Sequence, residues 1–190
     1  HVQGNIQKAQ KYYQYCINEG LIDDRVYANY ALILCNSKKF EEAIILLNRA
    51  IKIKPDHAIY HSNLGKILND IGKFDEAKIS LAKAIQLEPN CSNTHHIQGM
   101  LLNNLGKFDE AEISLKKAVK LNPDFGDAYC NLANLLNNIG KSKEAEISAK
   151  KAIKLNPNCD IYYSNLGKIL NDLGKFDKAK QSLEKAIELN

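Results

Sequence analysis

The sequence predicts an all-α fold built as an α-solenoid, in which antiparallel helix pairs stack on one another. Three repeating features support this prediction. The stretch GKFDEA occurs at 72–77 and at 106–111, and GKFDKA follows at 174–179. The chain contains only four prolines, each 34 residues after the last: Pro55, Pro89, Pro123 and Pro157. Alanines recur at the same interval. A fixed period of this length is typical of repeat proteins, in which each period is one supersecondary unit.

Each period contains two amphipathic patterns, which we label helix A and helix B. In the second full period, apolar residues recur every three or four positions over 60–71, which predicts helix A. Gly72 interrupts this pattern, and a second run over 74–85 predicts helix B. Pro89 stops helix B because proline cannot extend a helix interior. Asn90 is expected to cap the helix that follows.

Small residues recur at one position of helix A and at two positions of helix B. The helix A position holds Ala31, Gly65, Gly99, Ala133 and Gly167. The helix B positions hold Ala43, Ala77, Ala111, Ala145 and Ala179, and Ala50, Ala84, Ala118, Ala152 and Ala186. Small side chains allow two helices to approach closely. A pair this short cannot bury its apolar face alone, so neighbouring pairs must stack.

These features, seen together in NLGKILNDIGKFDEAKISLAKAIQLEP (63–89), resemble the tetratricopeptide repeat family. The resemblance covers essentially the whole chain and implies a right-handed superhelix. It predicts one array: a half repeat at 1–23 that supplies a helix B, full repeats at 24–57, 58–91, 92–125 and 126–159, and a truncated fifth repeat at 160–190. The departures are mild, since Ser142 replaces the helix B phenylalanine and Cys16 replaces an alanine.

Composition excludes several classes of function. The formal charge of +4 is spread over many lysines and glutamates, so no nucleic-acid partner is expected. No apolar run is long enough to span a membrane. The five cysteines form no CxxC pair, which favours reduced thiols and a cytoplasmic protein. The abundance of Lys, Asn and Ile is consistent with an AT-rich bacterial genome.

No catalytic or cofactor-binding motif occurs in the sequence, so we expect no enzyme activity and no cofactor. His57 and His61 have the spacing of a helical metal-ligand pair. However, Pro55 and Asp56 place His57 before the helix, which spoils that geometry, and no metal site is expected. Acidic residues such as Asp75 are interpreted as compensating the helix dipole.

The resemblance implies that helix A lines a concave groove. The predicted groove residues are Asn29, Asn63, Lys66, Asn69, Asn103, Asn131, Asn134, Asn137, Asn165, Lys168 and Asn171. Each asparagine carboxamide offers donors and an acceptor, so a row of them can pair with the backbone of an extended peptide. This row is similar to the asparagine ladder of peptide-binding arrays. The alternative is that these asparagines bond between adjacent helices and serve packing.

Two nearly identical segments, 62–78 and 164–180, lie three repeats apart and differ at two positions. Recent duplication explains this identity without any function, and a partner with a matching long repeat is the alternative. A chaperone-tail clamp is disfavoured because Ala28, Ser62 and their counterparts occupy the position of its first lysine.

The predicted function is therefore protein or peptide binding in the helix A groove, without catalysis. One alternative is the substrate-recruiting arm of a larger enzyme with a glycosyltransferase, sulfotransferase or oxygenase domain. Another is end-to-end self-association, because the last helix is expected to expose Phe176, Leu183 and Ile187. That exposure also leads us to expect that the full protein continues beyond Asn190.

Overall fold

The structure, a computed structural model, describes residues 2–190. Across this range it contains eleven α-helices and no strand, which confirms the all-α prediction. The helices are α1 (Val2–Asn18), α2 (Asp24–Asn36), α3 (Phe40–Ile53), α4 (Ala58–Asp70), α5 (Phe74–Leu87), α6 (Ser92–Asn104), α7 (Phe108–Leu121), α8 (Gly126–Asn138), α9 (Ser142–Leu155), α10 (Asp160–Asp172) and α11 (Phe176–Leu189). Within residues 2–190, no helix combines the length and the apolar composition of a membrane span.

The helices belong to two compact units. Unit 1 ends at Pro89 and contains α1–α5, and unit 2 begins at Asn90 and contains α6–α11. In unit 1, α2 pairs with α3 and α4 with α5, while α1 packs on α2 and α3 packs on α4. In unit 2, the pairs are α6 with α7, α8 with α9 and α10 with α11, while α7 packs on α8 and α9 on α10. Each unit is thus a stack of helical hairpins, as the period predicts.

The turn inside each hairpin explains its glycine. Gly72, Gly106, Gly140 and Gly174 have φ angles of 79°, 72°, 80° and 71°. A Cβ added at any of them would meet nothing within 4 Å, so the backbone angle and not lack of space favours glycine there. Helix A ends at this turn, where the Lys73 N–H donates a hydrogen bond to the Leu68 carbonyl oxygen at 2.8 Å. In the first hairpin, Lys38 adopts the same conformation with φ 59°.

The small residues of helix A allow close packing against helix B. A Cβ at Gly99 would lie 2.6 Å from Leu115 Cγ, a distance that real Cβ atoms do not show. The equivalent pairs are Gly65 with Leu81 and Gly167 with Leu183, each at 2.7 Å. In the fourth full repeat the pair becomes Ala133 and Ala149, and both lie in the buried core of unit 2. The packing reason predicted for these positions is confirmed.

The predicted helix cap at Asn90 is wrong. Helix α6 begins at Ser92, and Cys91 occupies the N-cap position without a side-chain hydrogen bond to the first turn. Asn90 lies in the turn with Pro89, one residue too early to reach the first free N–H groups. Of the A helices, α2 does have a side-chain cap, in which Asp23 accepts from the first-turn N–H groups.

Candidate functional site

The predicted groove residues all lie on A helices but differ in exposure. In unit 1, Asn29 and Lys66 are exposed, Asn63 is partly buried and Asn69 is buried. In unit 2, Lys168 and Asn171 are exposed, Asn103, Asn131, Asn134 and Asn165 are partly buried, and Asn137 is buried. Within unit 2, α8 packs against both α6 and α10, so residues of three A helices share one surface, which we call the A face.

Two asparagines of the A face join successive helices of unit 2. Asn131 Nδ2 on α8 lies 2.7 Å from His96 Nε2 on α6. Asn165 Nδ2 on α10 lies 3.0 Å from Cys130 Sγ on α8. His96 and Cys130 occupy the same position in consecutive repeats, 34 residues apart. Each asparagine therefore braces the stack through its Nδ2 group, and its Oδ1 atom takes no part in this bond.

A second asparagine row in unit 2 has unused acceptors. Asn137 Nδ2 donates to Asp172 Oδ2 at 2.5 Å, which links α8 to α10. Asn137 Oδ1 is buried without a hydrogen-bond partner, and the same is true of Asn103 Oδ1 on α6. A buried acceptor without a donor costs about 1–3 kcal/mol. These two oxygens lie at the same position of consecutive repeats, so the cost is repeated within the A face.

Each unit also carries a lysine and an aspartate one helical turn apart on helix A. In unit 1 these are Lys66 and Asp70, and in unit 2 they are Lys168 and Asp172. Burial raises the pKa of the Asp70 carboxyl, and the nearby Lys66 charge partly offsets that rise. The exposed lysines provide positive charge beside the asparagine rows.

Three histidines make ring or hydrogen-bond contacts within their own unit. His57 lies before α4 and stacks on the Tyr60 ring with centroids 4.1 Å apart. His61 Nε2 lies 2.7 Å from the Pro55 carbonyl oxygen. His96 contacts the Phe125 ring edge-on at 4.8 Å. Among residues 2–190 the structure places no group of three or more His, Cys, Asp or Glu side chains where a metal ion could bind.

All five cysteines are free thiols. Cys130 is buried, and this burial raises its pKa to about 11, although the hydrogen bond from Asn165 acts in the opposite direction. Burial also raises the pKa of the Cys35 thiol. Because the thiolate is the nucleophilic form, a raised pKa makes a thiol less reactive. Neither cysteine has the environment of a catalytic nucleophile.

Two buried glutamates connect consecutive B helices of unit 2. Glu112 on α7 accepts from Lys116 on its own helix at 2.5 Å and from Lys141, just before α9, at 2.8 Å. Glu146 on α9 makes the equivalent pairs with Lys150 at 2.7 Å and Lys175 at 2.5 Å. Both lysines lower the pKa of each glutamate. The contacts with Lys141 and Lys175 reach the next hairpin, and the sequence analysis did not predict them.

Tyrosine–aspartate hydrogen bonds hold the starts of neighbouring A helices. Tyr60 Oη donates to Asp24 Oδ2 at 2.6 Å in unit 1, and Tyr162 Oη donates to Asp127 Oδ1 at 2.5 Å in unit 2. A Cβ at Gly126 would lie 2.9 Å from Tyr162 Oη, so the glycine makes room for the ring. No residue spacing in the sequence had indicated these contacts.

Stacked helical hairpins with a polar A face define a helical-repeat scaffold. Family models of the tetratricopeptide repeat match residues 31–72, 58–91, 92–125, 114–147 and 161–190. The chain belongs to the tetratricopeptide repeat family. No curated protein sequence matches the chain.

Solved structures of this family are similar over most of the chain. One structure of MamA is 26% identical with a TM-score of 0.69, covering 82% of this chain and 91% of MamA. The pilF protein of Pseudomonas aeruginosa is 20% identical with a TM-score of 0.80, covering 88% of this chain and 76% of pilF. YrrB, a TPR protein with an unusual peptide-binding site, is 23% identical with a TM-score of 0.64, covering 94% and 92%. For pilF and YrrB, likeness at these identities shows the fold alone.

Proposed function

We propose that this chain is a protein-binding scaffold that holds an extended peptide on the A face and performs no chemistry of its own. The observation that carries the proposal is the asparagine row of unit 2, in which Asn103 and Asn137 each retain an Oδ1 acceptor without a partner. The backbone of an extended peptide supplies N–H donors at regular intervals. Such a ligand satisfies these acceptors whatever its side chains are.

The accessible residues of the same surface complete the site. Asn134 lies between the two asparagine rows and is partly buried, whereas Lys168 and Asn171 are exposed. Asn103 Oδ1 and Asn137 Oδ1 are buried, so a peptide reaches them only if neighbouring side chains rearrange, and the accessible side chains make the first contacts. The peptide-binding site of YrrB is a precedent within the same fold. The proposal itself rests on the residues of this chain.

The hydrogen bonds of Asn131 and Asn165 show that these two asparagines also contribute to packing between helices. Their Nδ2 groups brace the helices through His96 and Cys130. Replacing these two asparagines would therefore disturb packing as well as binding. Asn134 and Asn171 have no such bond to a neighbouring helix among the described contacts, so they are the better positions for a test.

The test is a selection of peptides from a random displayed library on the whole chain, followed by affinity measurement with two variants. We expect the double variant Asn134→Ala/Asn171→Ala to bind selected peptides at least ~10-fold more weakly, the scale set by losing one or two hydrogen bonds. The control is Asn48→Ala, an exposed asparagine on helix B. Equal affinity for both variants and the parent chain would reject the A face as the binding site.

Self-association through the end of α11 is a second candidate, favoured by one observation. Phe176, Leu183 and Ile187 are 66%, 43% and 77% exposed. The residues equivalent to Leu183 on α7 and α9, Leu115 and Ala149, are buried. Sedimentation of the parent chain and of the Ile187→Gln variant tests this candidate. If the parent chain self-associates and the variant has the same dissociation constant, the end of α11 is not the interface.

A further inference from the structure

Exposed isoleucines recur at one position of helix B. Ile45 and Ile79 in unit 1 are 54% and 72% exposed, and Ile113 and Ile147 in unit 2 are 69% and 71% exposed. They lie 34 residues apart, away from the buried alanines that face helix A. Scattered exposed apolar residues are normal, but a row at one repeat position calls for an explanation.

The fold does not require isoleucine at this position. The equivalent residues are Lys11 on α1 and Gln181 on α11. Both are exposed and lie within regular helices. Isoleucine is also a poorer helix former than lysine or glutamine. Other exposed helix B positions vary, for example Ala82 and Lys116 at one position. A polar residue at this position would therefore support the folded helix as well as isoleucine does.

Charges on both sides of the isoleucine form a self-complementary pattern on α7. Asp109 and Glu110 lie one turn before Ile113, and Lys116 and Lys117 lie one turn after it. All five side chains are exposed, and two of them, Glu110 and Lys116, also pair with Lys107 and Glu112 of the same chain. If a second copy of α7 is placed antiparallel and centred on Ile113, each acidic pair faces the lysine pair of the other copy.

Helix α9 extends the same pattern. Glu144 precedes Ile147, and Lys150 and Lys151 follow it. The start of α9 is held next to α7 by the Glu112–Lys141 contact at 2.8 Å, which keeps the two helices of unit 2 adjacent. One position is unfavourable, because Lys143 stands where α7 has Asp109 and would face a lysine.

We propose that the helix B surface around Ile113 and Ile147 pairs with the same surface of a second copy, with the two-fold axis along the line that joins Ile113 and Ile147. Such an arrangement packs α7 on α7 and α9 on α9 in the antiparallel sense, which is an isologous interface. Isoleucine then contacts isoleucine, and acidic side chains contact lysines. The acidic pair beside Ile113 disfavours the other apparent partner, an anionic membrane, by like-charge repulsion.

The interface is small, since it centres on two isoleucines from each copy, and its affinity is correspondingly low. Sedimentation of the full chain from micromolar to millimolar concentration is expected to show a reversible monomer–dimer equilibrium. The double variant Ile113→Gln/Ile147→Gln carries the residue that α11 already has at this position, so it keeps the fold. We expect at least ~10-fold weaker dimerisation, because the buried apolar contact is lost.

A charge exchange provides a second test that does not depend on the isoleucines. Asp109→Lys and Lys117→Asp each place like charges opposite one another and are expected to weaken the homodimer. An equimolar mixture of the two variants restores the opposite-charge pairs and is expected to regain dimerisation. Only the proposed antiparallel pairing predicts this recovery, since misfolding of either variant would leave the mixture monomeric.

Three results would overturn the proposal. One is a wild-type chain that stays monomeric up to millimolar concentration. Another is that Ile187→Gln abolishes the dimer while Ile113→Gln/Ile147→Gln retains it. That result would assign the association to the end of α11. The last is an unassociated chain that binds vesicles containing phosphatidylserine through Ile113 and Ile147, which assigns the surface to a membrane.

Discussion

Replacing Glu112 by glutamine tests how far the ion pairs of helix B stabilise the stack of unit 2. Glu112 is 8% exposed and accepts charge-assisted hydrogen bonds from two lysines on different hairpins. Hydrogen bonds to charged groups contribute about 1.5–3 kcal/mol each. The two lysine side chains are 52% and 44% exposed, so water replaces part of what they lose. We therefore expect Glu112→Gln to lower the free energy of unfolding by about 1–3 kcal/mol for both contacts together, which is less than the sum of two such hydrogen bonds.

The matched control is Glu110→Gln on the same helix. Glu110 pairs with Lys107 at 3.1 Å, but both side chains are about half exposed. Surface ion pairs contribute less than about 1 kcal/mol, so this variant is expected to unfold almost like the parent chain. Urea unfolding at pH 7, followed by circular dichroism, measures both variants.

The effect of Glu112→Gln also depends on pH. The lysines lower the pKa of Glu112 below its ordinary value of 4.5, so its ionised form stabilises the folded chain above that pH. This stabilisation is lost as the pH falls through the pKa of the folded state, and the difference between parent chain and variant shrinks. Two results would contradict a stabilising role of these ion pairs. One is that Glu112→Gln lowers the free energy of unfolding no more than Glu110→Gln at pH 7, and the other is that its effect grows on acidification.

Three further outcomes follow from the packing. Gly99→Ala forces a Cβ into the facing leucine, so urea unfolding should show a net loss of about 1–2 kcal/mol despite better helix propensity, and any gain in stability would contradict the close approach. Burial and the bond to Asp24 raise the pKa of Tyr60 to about 12, so Asp24→Asn should lower it on ultraviolet titration without restoring the ordinary 10.0, because burial is the larger cause. Cys130 should be alkylated more slowly than the four partly buried cysteines when modification is followed by mass spectrometry, and equal rates would argue against its burial.

The helical pattern could be predicted from sequence because the signals are local. Gly72 and Pro89 mark helix ends through backbone angles that involve only their neighbours. Gly99 could be assigned to a close helix contact because its equivalents recur with the same small size. The cap at Asn90 failed because the turn at Pro89 is one residue longer than the pattern suggested.

Contacts between repeats could not be predicted in the same way. The asparagines were found by their period, but their partners His96 and Cys130 differ in chemistry from one repeat to the next. Such bonds depend on side-chain rotamers and on the offset between neighbouring hairpins, which the sequence of one repeat does not contain. The contact of Glu112 with Lys141, 29 residues away, was missed for that reason. The isoleucine row was also missed, because the sequence pattern does not show which apolar residues of helix B stay exposed after the hairpins pack.

Peptide binding on the A face is tested most directly by blocking the backbone of the ligand. A peptide selected on the parent chain would be synthesised with single N-methyl groups and, separately, with single side-chain changes to alanine. If asparagine acceptors such as Asn137 Oδ1 hold the backbone, N-methylation of an N–H group that faces the surface removes one donor and weakens binding in titration calorimetry, while most alanine changes are tolerated. The opposite pattern, tolerance of N-methylation with loss of binding on side-chain changes, would contradict backbone recognition by this surface.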